Sequence, residues 1–390
     1  MSVRLFCKIV DKFAFCFAYI STKRKRKMKD AFKNSARKRF FKVVLPIVLI
    51  AVFAVTLATV LRKLPEKPQT TPDKHYCGVV ELWNVETFEG GSGSRSSWLT
   101  SRAAKFEKTH EGFFVHVTDL SVQQLKEKLD CGETFDVICF SRGVGCLVQS
   151  LLQPYSGSVK DVKENLLTSG RLDGKVFALP LYVGGYFLFA RQSQLPQNAD
   201  LISVALTNAY TRKVGKTTYE LQPLLCGFTP YNSPLSALAM SGGRGKTVQN
   251  ENVTQYSAYE SFLANKTAVT LLGTQRDLYR LTKREEAGKM EKLVCRALTG
   301  YTDLVQYLAI SATCQNVPCC TEFLQFALSE AVQQTLTNVS MFSVLEQTYY
   351  TSVCYAELEK GLASAYVPNV FADSQALTAQ RNAALKTLEM

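Results

Sequence analysis

The sequence predicts an α/β fold built on a parallel sheet, with one membrane-spanning helix in front of it. Two observations carry this prediction. Between residues 78 and 141, apolar segments of strand character alternate with segments of helical character, and the loops between them are short. Such alternation favours a parallel sheet with helices on both faces. Before that region, residues 43–61 carry no charge, and an uncharged run of that length is typical of a membrane span.

The predicted span covers residues 43–62, and its orientation follows from charge. The chain has 390 residues and a formal net charge of +13, yet residues 1–42 alone hold 14 Lys and Arg residues against two Asp. A basic flank stays in the cytoplasm, so we expect a single-pass cell-membrane protein whose C-terminal part is extracellular. A cleaved secretory signal with a long basic start is the alternative. Because the rest of the chain is nearly neutral, we expect no nucleic-acid partner.

The alternating region begins after a linker. Residues 63–76 are rich in Pro and Thr and lack an apolar pattern, which is typical of a stalk. The segments that follow have the apolar residues of buried strands and the spacing of amphipathic helices in turn. We predict strands at VVELW, FFVHVTDL and FDVICFS, and helices at 96–108 and 121–132.

The remaining chain predicts a mixture of strands and helices without an internal repeat. Residues 211–218 have the composition of a polar turn, and the strand at 266–273 opens into TQRDLYRL (274–281). Strands are expected at 174–191 with an interruption at 180–185, at 266–273 and at 304–310. Helices are expected at 201–209, 233–240, 255–263, 321–336 and near the C-terminus.

The cysteines predict no metal site. The chain has 12 Cys and three His. Cys314, Cys319 and Cys320 have no His nearby in the sequence, so the spacing of a zinc site is missing. An extracellular location would favour disulfides, but the spacing assigns no pairs, and a reduced set stays open.

Motifs for catalysis fail on their spacing, so we expect no enzyme and no cofactor. SGGRGKT (241–247) ends like a phosphate-binding loop, but Met240 stands where its first Gly is required. EGGSGSRSS (89–97) lacks the last Gly of a dinucleotide-binding turn and the last Gly of a nucleophile elbow. None of the three His lies in a loop where the base of a catalytic triad is expected.

Polar and aromatic side chains gather where the predicted strands end, and they fit the binding of a polar solute. Ser94 and Arg95 begin a predicted helix, whose free N–H groups can hold a polar or anionic group. Glu86 and Glu89 offer acceptors for hydroxyl groups. Trp83 and Tyr182 offer flat faces on which sugars stack. Ser141 follows the third strand at the same edge. The alternative is structural: a helix cap, a core aromatic ring and solvated carboxylates.

Three segments resemble the family-1 extracellular solute-binding proteins of bacterial ABC transporters, the group that includes maltose-binding protein. FDVICFSRG resembles the end of the family's third strand, and KVFALPLYVGGYFLF resembles its hinge-crossing segment. AYESFLANKTAVTLLGTQRDLYRL resembles a helix that runs into a strand with its ligand loop. The resemblance extends from Gly78 towards the C-terminus. The chain departs from the family at Asn265, where Gly is common, and in its basic segment and uncleaved helix in place of a lipid-attachment cysteine.

The resemblance implies a class II periplasmic-binding-protein fold, in which two hinged lobes close on a solute. Lobe I would comprise 77–182 and 297–343, and lobe II 185–294 and 346–390, with crossings near 180–185, 293–298 and 342–345. The implied function is the substrate-binding component of an ABC importer, which binds a carbohydrate or related polar solute and docks on permease subunits. The expected ligand contacts are Trp83, Glu86, Glu89, Ser94, Arg95, Ser141, Tyr182, Tyr186, Gly273, Thr274 and Arg276.

Two details of this function stay open in the sequence. Arg95 and Arg276 together would equally suit an anionic sugar. The basic segment 1–42 fits a membrane-anchored sensor that signals inside the cell, and the same fold could serve a surface protein without transport.

Overall fold

The computed structural model describes residues 78–195, 199–207, 210–214, 216–245, 253–264 and 268–389. The predicted basic segment 1–42, the predicted span 43–62 and the predicted linker 63–76 lie outside these residues. Among the helices of the described residues, none combines the length and the apolar character needed to cross a bilayer.

The described elements alternate between strands and helices along the first part of the chain, as the sequence predicts. The strands are β1 (Gly78–Val85), β2 (Phe113–Leu120), β3 (Val137–Ser141), β4 (Arg171–Leu172), β5 (Lys175–Val176), β6 (Leu179–Val183), β7 (Tyr186–Arg191), β8 (Tyr210–Val214), β9 (Thr217–Cys226), β10 (Ala268–Thr274), β11 (Leu293–Leu298) and β12 (Val305–Ile310). The helices are α1 (Arg95–Thr109), α2 (Val122–Asp130), α3 (Gly145–Val148), α4 (Glu164–Thr168), α5 (Leu201–Ala205), α6 (Pro234–Met240), α7 (Gln255–Leu263), α8 (Gln275–Glu286), α9 (Val317–Ala327), α10 (Glu330–Gln333), α11 (Val353–Gly361) and α12 (Ser374–Glu389).

The first sheet has the strand order β2-β1-β3-β12-β6. Strands β1, β2 and β3 are parallel, and β12 runs antiparallel to both β3 and β6. The C-terminal ends of β1, β3 and β6 therefore lie at one edge of the sheet, together with the N-terminal end of β12. This edge carries the loops in which ligands of α/β sheets bind.

The second sheet has the strand order β11-β7-β10-β9-β8. Strand β7 is antiparallel to β10 and β11, with Tyr186 opposite Thr274 and Leu298. Strand β9 is parallel to β10. The C-terminal ends of β9, β10 and β11 thus share one edge with the N-terminal end of β7.

Short connections place these two edges next to each other. Only Gly184 and Gly185 separate β6 of the first sheet from β7 of the second. The chain returns to the first sheet between Leu298 and Val305, and Phe342 bridges to Val183 beside the first connection. The result is a mixed α/β fold of two lobes, each built on one five-stranded sheet of the described residues.

Side chains on both faces of β3, β6, β12 and the second half of β1 are buried, which explains the apolar sequences of these strands. Leu82 packs in a cluster that contains Phe106 of α1 and Phe323 of α9. Its neighbour Trp83 points to the other face and packs against Phe135, with ring centroids 5.1 Å apart. Successive residues of a strand face opposite sides, so helices on both faces favour apolar residues at consecutive positions of the covered strands.

Helix starts follow local capping chemistry. The Ser94 hydroxyl accepts the N–H of Ser97 at the start of α1. The Ser121 side chain and Gln124 form a reciprocal capping box at the start of α2. Such caps satisfy N–H groups that have no partner within the helix.

Two elements differ from the sequence prediction. The polar turn predicted at 211–218 is wrong, because these residues belong to the hairpin of β8 and β9, in which Arg212 pairs with Tyr219. The ligand loop that the resemblance implies at TQRDLYRL is also wrong, because α8 begins at Gln275. There the Thr274 side chain and Asp277 form a capping box, a pattern that starts a helix directly after a strand.

Candidate functional site

The edges of the two sheets meet around a buried carboxylate, that of Asp303, in the connection between β11 and β12. Its oxygens accept hydrogen bonds from the Tyr186 hydroxyl at 2.6 Å and the Tyr301 hydroxyl at 2.8 Å. The backbone N–H of Ser233, which precedes α6, donates at 2.7 Å. Burial raises the pKa of Tyr186, and the Asp303 carboxylate raises it further, so Tyr186 stays a neutral donor.

Arg142 joins this network from the first lobe. It follows β3 directly, and its Nη1 lies 3.5 Å from Asp303 Oδ2 and 3.4 Å from the Tyr301 hydroxyl. Its side chain is only 4% exposed. Within the described residues the Nε of Arg142 is buried without a hydrogen-bond partner. Arg142 therefore anchors the network and keeps one donor free beside the inter-lobe edge.

A second polar contact links the two lobes through the loop after β1. The Glu89 carboxylate lies 3.3 Å from Arg276 Nε and 3.9 Å from Arg280 Nη1 of α8. The Gln275 side chain donates to the Glu89 carbonyl at 3.1 Å. All three charged groups are partly exposed, and ion pairs of this kind contribute at most about 1 kcal/mol. The contact is weak enough to break when the lobes separate.

Arg95 holds the base of the same loop. Its guanidinium is 3% exposed, pairs with Glu86 at 2.7 Å and donates to the Phe88 carbonyl. It also lies over the rings of Phe88 and Tyr182, at 4.4 and 5.7 Å from their centroids. Because Glu86 and Glu89 neutralise Arg95 and Arg276, the two arginines do not form the free anion site that the sequence left open.

A cavity of about 320 Å³ lies at the inter-lobe edge beside Arg142. Arg142, Gly143 and Cys146 form its wall on the first lobe. Tyr231 and Asp373 come from later parts of the chain and complete the lining. A larger cavity of about 570 Å³, lined by Phe135 and Thr313 among others, lies at the opposite edge of the first sheet. We take the smaller cavity as the candidate site, because segments from both lobes line it and a buried polar network borders it.

Gly143 sets the contact between the two walls of this cavity. Its φ is +90°, a conformation that Gly adopts at no steric cost. A Cβ atom at this position would lie 2.2 Å from the ring of Tyr231. The close approach of Tyr231 to the first lobe thus depends on Gly at position 143.

The structure buries both aromatic rings predicted to stack on a ligand. Trp83 is 3% exposed and Tyr182 is 1% exposed. Trp83 packs on Phe135, and Tyr182 packs edge-on against Trp98 of α1. Neither ring has a free face in this structure, because both strands are covered by helices on the side to which these rings point.

The other predicted residues lie near the inter-lobe edge in differing roles. Ser94 caps α1, and the Ser141 hydroxyl is buried against that of Thr87. Thr274 caps α8 next to the buried Gly273. Glu86, Glu89, Ser94 and Arg276 keep exposed surface, whereas Arg95, Ser141, Tyr186, Gly273 and Thr274 are buried.

Sequence reasoning missed Arg142, Tyr231, Gln275 and Asp303. A signal for two of them was present. Arg142 follows the predicted strand FDVICFS, and Asp303 precedes the predicted strand at 304–310. Both positions fall at the ligand edge of the sheet by the rule that singled out Ser141. Tyr231 carries no comparable signal, since nothing in its neighbourhood predicts which lobe it faces.

Asp277 of α8 carries a perturbed carboxyl close to the Glu89 contact. Burial raises the pKa of Asp277 to about 6, the N–H of Thr274 opposes this shift, and Glu89 adds to it. The folded protein therefore favours the protonated form of Asp277 at pH values where an unfolded chain has already lost that proton.

The fold is shared with solved structures of bacterial binding proteins at low sequence identity. The GacH receptor of Streptomyces glaucescens, solved unliganded and with acarbose, is 15% identical, with a TM-score of 0.53 over 80% of this chain and 93% of that one. An extracellular solute-binding protein from Staphylococcus aureus in complex with maltose is 13% identical, with a TM-score of 0.53 over 80% and 93%. The maltose-maltodextrin binding protein of Alicyclobacillus acidocaldarius is 15% identical, with a TM-score of 0.51 over 79% and 95%. These structural neighbours are solute-binding proteins, which are not enzymes.

No protein-family model matches the sequence, and no curated protein sequence matches it. At identities this low, the structural similarity establishes a shared two-lobe fold. The ligand has to be argued from the site.

Replacing Asp303 by Asn should destabilise the protein strongly. The substitution removes the charge that balances the buried Arg142, and loss of one partner of a buried pair costs about 3–5 kcal/mol. Urea unfolding measures the change. Asp130→Asn is the matched control, because Asp130 is exposed, and it should change stability by at most about 0.5 kcal/mol. Equal effects of the two substitutions would contradict the role of Asp303.

The stability of the wild type relative to an Asp277→Asn variant should depend on pH. Because the folded-state pKa is raised, the contribution of Asp277 is fully present below about pH 4 and is lost as the pH rises through about 6. A shift of about two units corresponds to a loss on the order of 3 kcal/mol. We therefore expect the difference in unfolding free energy between the wild type and the variant to change across this pH window, with the wild type relatively more stable at the acidic end. A constant difference across the window would contradict the raised pKa.

Proposed function

We propose that this chain is an extracellular solute-binding protein that binds a carbohydrate or a related polar solute between its two lobes. The observation that carries the proposal is the cavity at the edge where the two lobes meet. It combines a tyrosine ring, a guanidinium and a carboxylate, from Tyr231, Arg142 and Asp373. An aromatic face with a few polar groups suits a molecule that has apolar ring faces and many hydroxyl groups.

The shared fold is a second line of support for this assignment. The solved structures with this fold include receptors and binding proteins that hold acarbose or maltose. A fold alone does not fix a ligand. For this chain the carbohydrate class rests on the combination of the fold with the composition of the cavity.

Binding would work by closure of the lobes around the crossing segments. The Gly184–Gly185 connection and the 299–304 segment are the places where a rotation can be absorbed. The Glu89 contact with Arg276 and Arg280 forms only where the loop after β1 meets α8. It therefore belongs to the state in which the two lobes lie close together. A solute then shifts the population towards closure by its differential affinity for the closed state.

The proposed ligand contacts are centred on the cavity and extend along the inter-lobe edge. Arg142 and Tyr231, which line the cavity, would contact the solute directly. Glu86, Glu89 and Ser94 in the loop after β1, and Arg276 at the start of α8, would contribute further contacts from the inter-lobe edge. The buried Arg95, Ser141, Tyr186, Gly273 and Thr274 would hold the inter-lobe edge in place, and no catalytic step is proposed.

We further propose that residues 43–62 anchor the protein in the cell membrane as a single span, with residues 1–42 in the cytoplasm and the two lobes outside. The closed protein would dock on permease subunits of an ABC importer. The support is the uncharged run 43–61 with its basic flank and the two-lobe fold.

The basic segment favours one other function, that of a membrane-anchored sensor. Residues 1–42 hold 14 Lys and Arg residues, and in the proposed orientation they would lie inside the cell, where a signalling partner would contact them. Deleting residues 1–42 should abolish a ligand-dependent cellular response in a sensor and leave solute uptake intact. If uptake fails and no response is lost, the sensor is ruled out.

A thermal-shift screen tests the proposed function. Maltotriose, other oligosaccharides, polyols and sugar acids are added to the purified protein over a wide concentration range. A ligand present at about 100 times its Kd stabilises the folded state by about 2.7 kcal/mol, so at least one class should raise the Tm in a saturable way. A flat response to every class would instead favour a surface protein without solute binding.

Gly143→Ala should weaken the binding of any solute that the screen identifies. The new methyl group meets the ring of Tyr231 and displaces it from the cavity wall. Gly132→Ala is the matched control, because Gly132 also has a positive φ and no atom lies within 4 Å of its added Cβ. Both variants carry a similar backbone strain of about 1 kcal/mol. Titration calorimetry should show about a tenfold weaker Kd for the Gly143 variant alone, and equal affinities would contradict the assigned cavity.

A further inference from the structure

Two buried cysteines come together where strand β12 passes into helix α9. The Sγ atoms of Cys314 and Cys320 lie 3.5 Å apart. Cys314 is 8% exposed and Cys320 is fully buried. All cysteines of the described residues are free thiols in this structure. A disulfide bond is about 2.0 Å long, so the two sulfurs need to approach by roughly 1.5 Å.

The local hydrogen bonds make Cys314 the more reactive of the two. Its sulfur accepts the N–H of Asn316 at 3.4 Å and faces the Cys320 thiol. The hydrogen bond from Cys320 lowers the pKa of Cys314. Burial raises the pKa of the adjacent Cys319 to about 12. Since the thiolate is the reacting species, Cys314 reacts before Cys319.

We propose that Cys314 and Cys320 form an intramolecular disulfide when the chain meets a disulfide donor, such as an oxidised dithiol oxidoreductase. The Cys314 thiolate attacks the donor disulfide, forms a mixed disulfide and releases one donor thiolate. The Cys320 thiol then loses its proton, attacks the Cys314 sulfur and releases the second donor thiolate. The protein loses two protons and two electrons, and the donor disulfide is reduced to a dithiol.

The short sequence separation directs this pairing. Only five residues lie between the two cysteines, so the bond forms within a local turn and does not require the rest of the lobe to be folded. In the folded protein it joins the turn after β12 to the first part of α9, which packs against α1 and β12. The disulfide needs an oxidising compartment, and its formation is independent of the solute that the cavity binds.

Mass spectrometry of the full-length protein tests the pairing. The chain is reduced, unfolded and refolded in a glutathione buffer, and a second sample is kept in excess reductant. After alkylation and digestion, the peptide that contains residues 314–320 should carry one alkyl group in the oxidised sample and three in the reduced sample. A peptide with three alkyl groups in both samples overturns the proposal.

Single substitutions decide which cysteines are joined. Cys319→Ala should retain the disulfide, so its oxidised peptide carries no alkyl group. Cys320→Ala should leave Cys314 and Cys319 both alkylated. The opposite pattern, with loss of the bond in the Cys319 variant, overturns the assignment. The mapping of the wild type stands even if one variant does not fold. As a separate measurement, the Tm of the oxidised wild type should lie above that of the reduced protein.

Discussion

The buried carboxylate of Asp303 is the interaction on which the relation of the two lobes depends. It lies in a connection between the sheets and is contacted from both sides, by Arg142 after β3 and by Tyr186 and Ser233 of the second lobe. A charge in this position is costly unless every neighbour is a donor. The donors are supplied by segments that are distant in sequence, so the network forms only when the edges of both sheets are aligned. The same alignment creates the cavity between Arg142 and Tyr231.

This arrangement explains how a fold can be shared while its sequence is not. The solved structures with TM-scores of 0.51–0.53 are only 13–15% identical to this chain. Apolar strands buried on both faces need hydrophobic residues of suitable size, and many sequences satisfy that requirement. The side chains at the inter-lobe edge do not have to meet this requirement for hydrophobic residues. Here they combine the ion pairs of Glu86 with Arg95 and of Glu89 with Arg276 with a cavity lined by Arg142 and Tyr231.

The sequence predicted the fold better than the site, for physical reasons that differ from residue to residue. The alternation between residues 78 and 141 is local, and the structure has the same strands and helices. Trp83 was expected to face a ligand, but a strand end alone does not show that Phe135 covers its ring. The hairpin at 211–218 was missed because its residues are polar. The contacts of Asp303 with Arg142, Tyr186 and Ser233 could not be foreseen, since they join residues 70 or more positions apart in the chain.

Hydrogen–deuterium exchange with a saturating oligosaccharide tests the central claim most directly, because it shows where on the chain the solute acts. The account predicts slower exchange in residues 142–147, 230–231 and 372–377, which line the cavity from both of its walls, together with the loop that contains Glu89. Protection confined to one lobe, or to the cavity near Phe135 and Thr313, would contradict binding between the lobes.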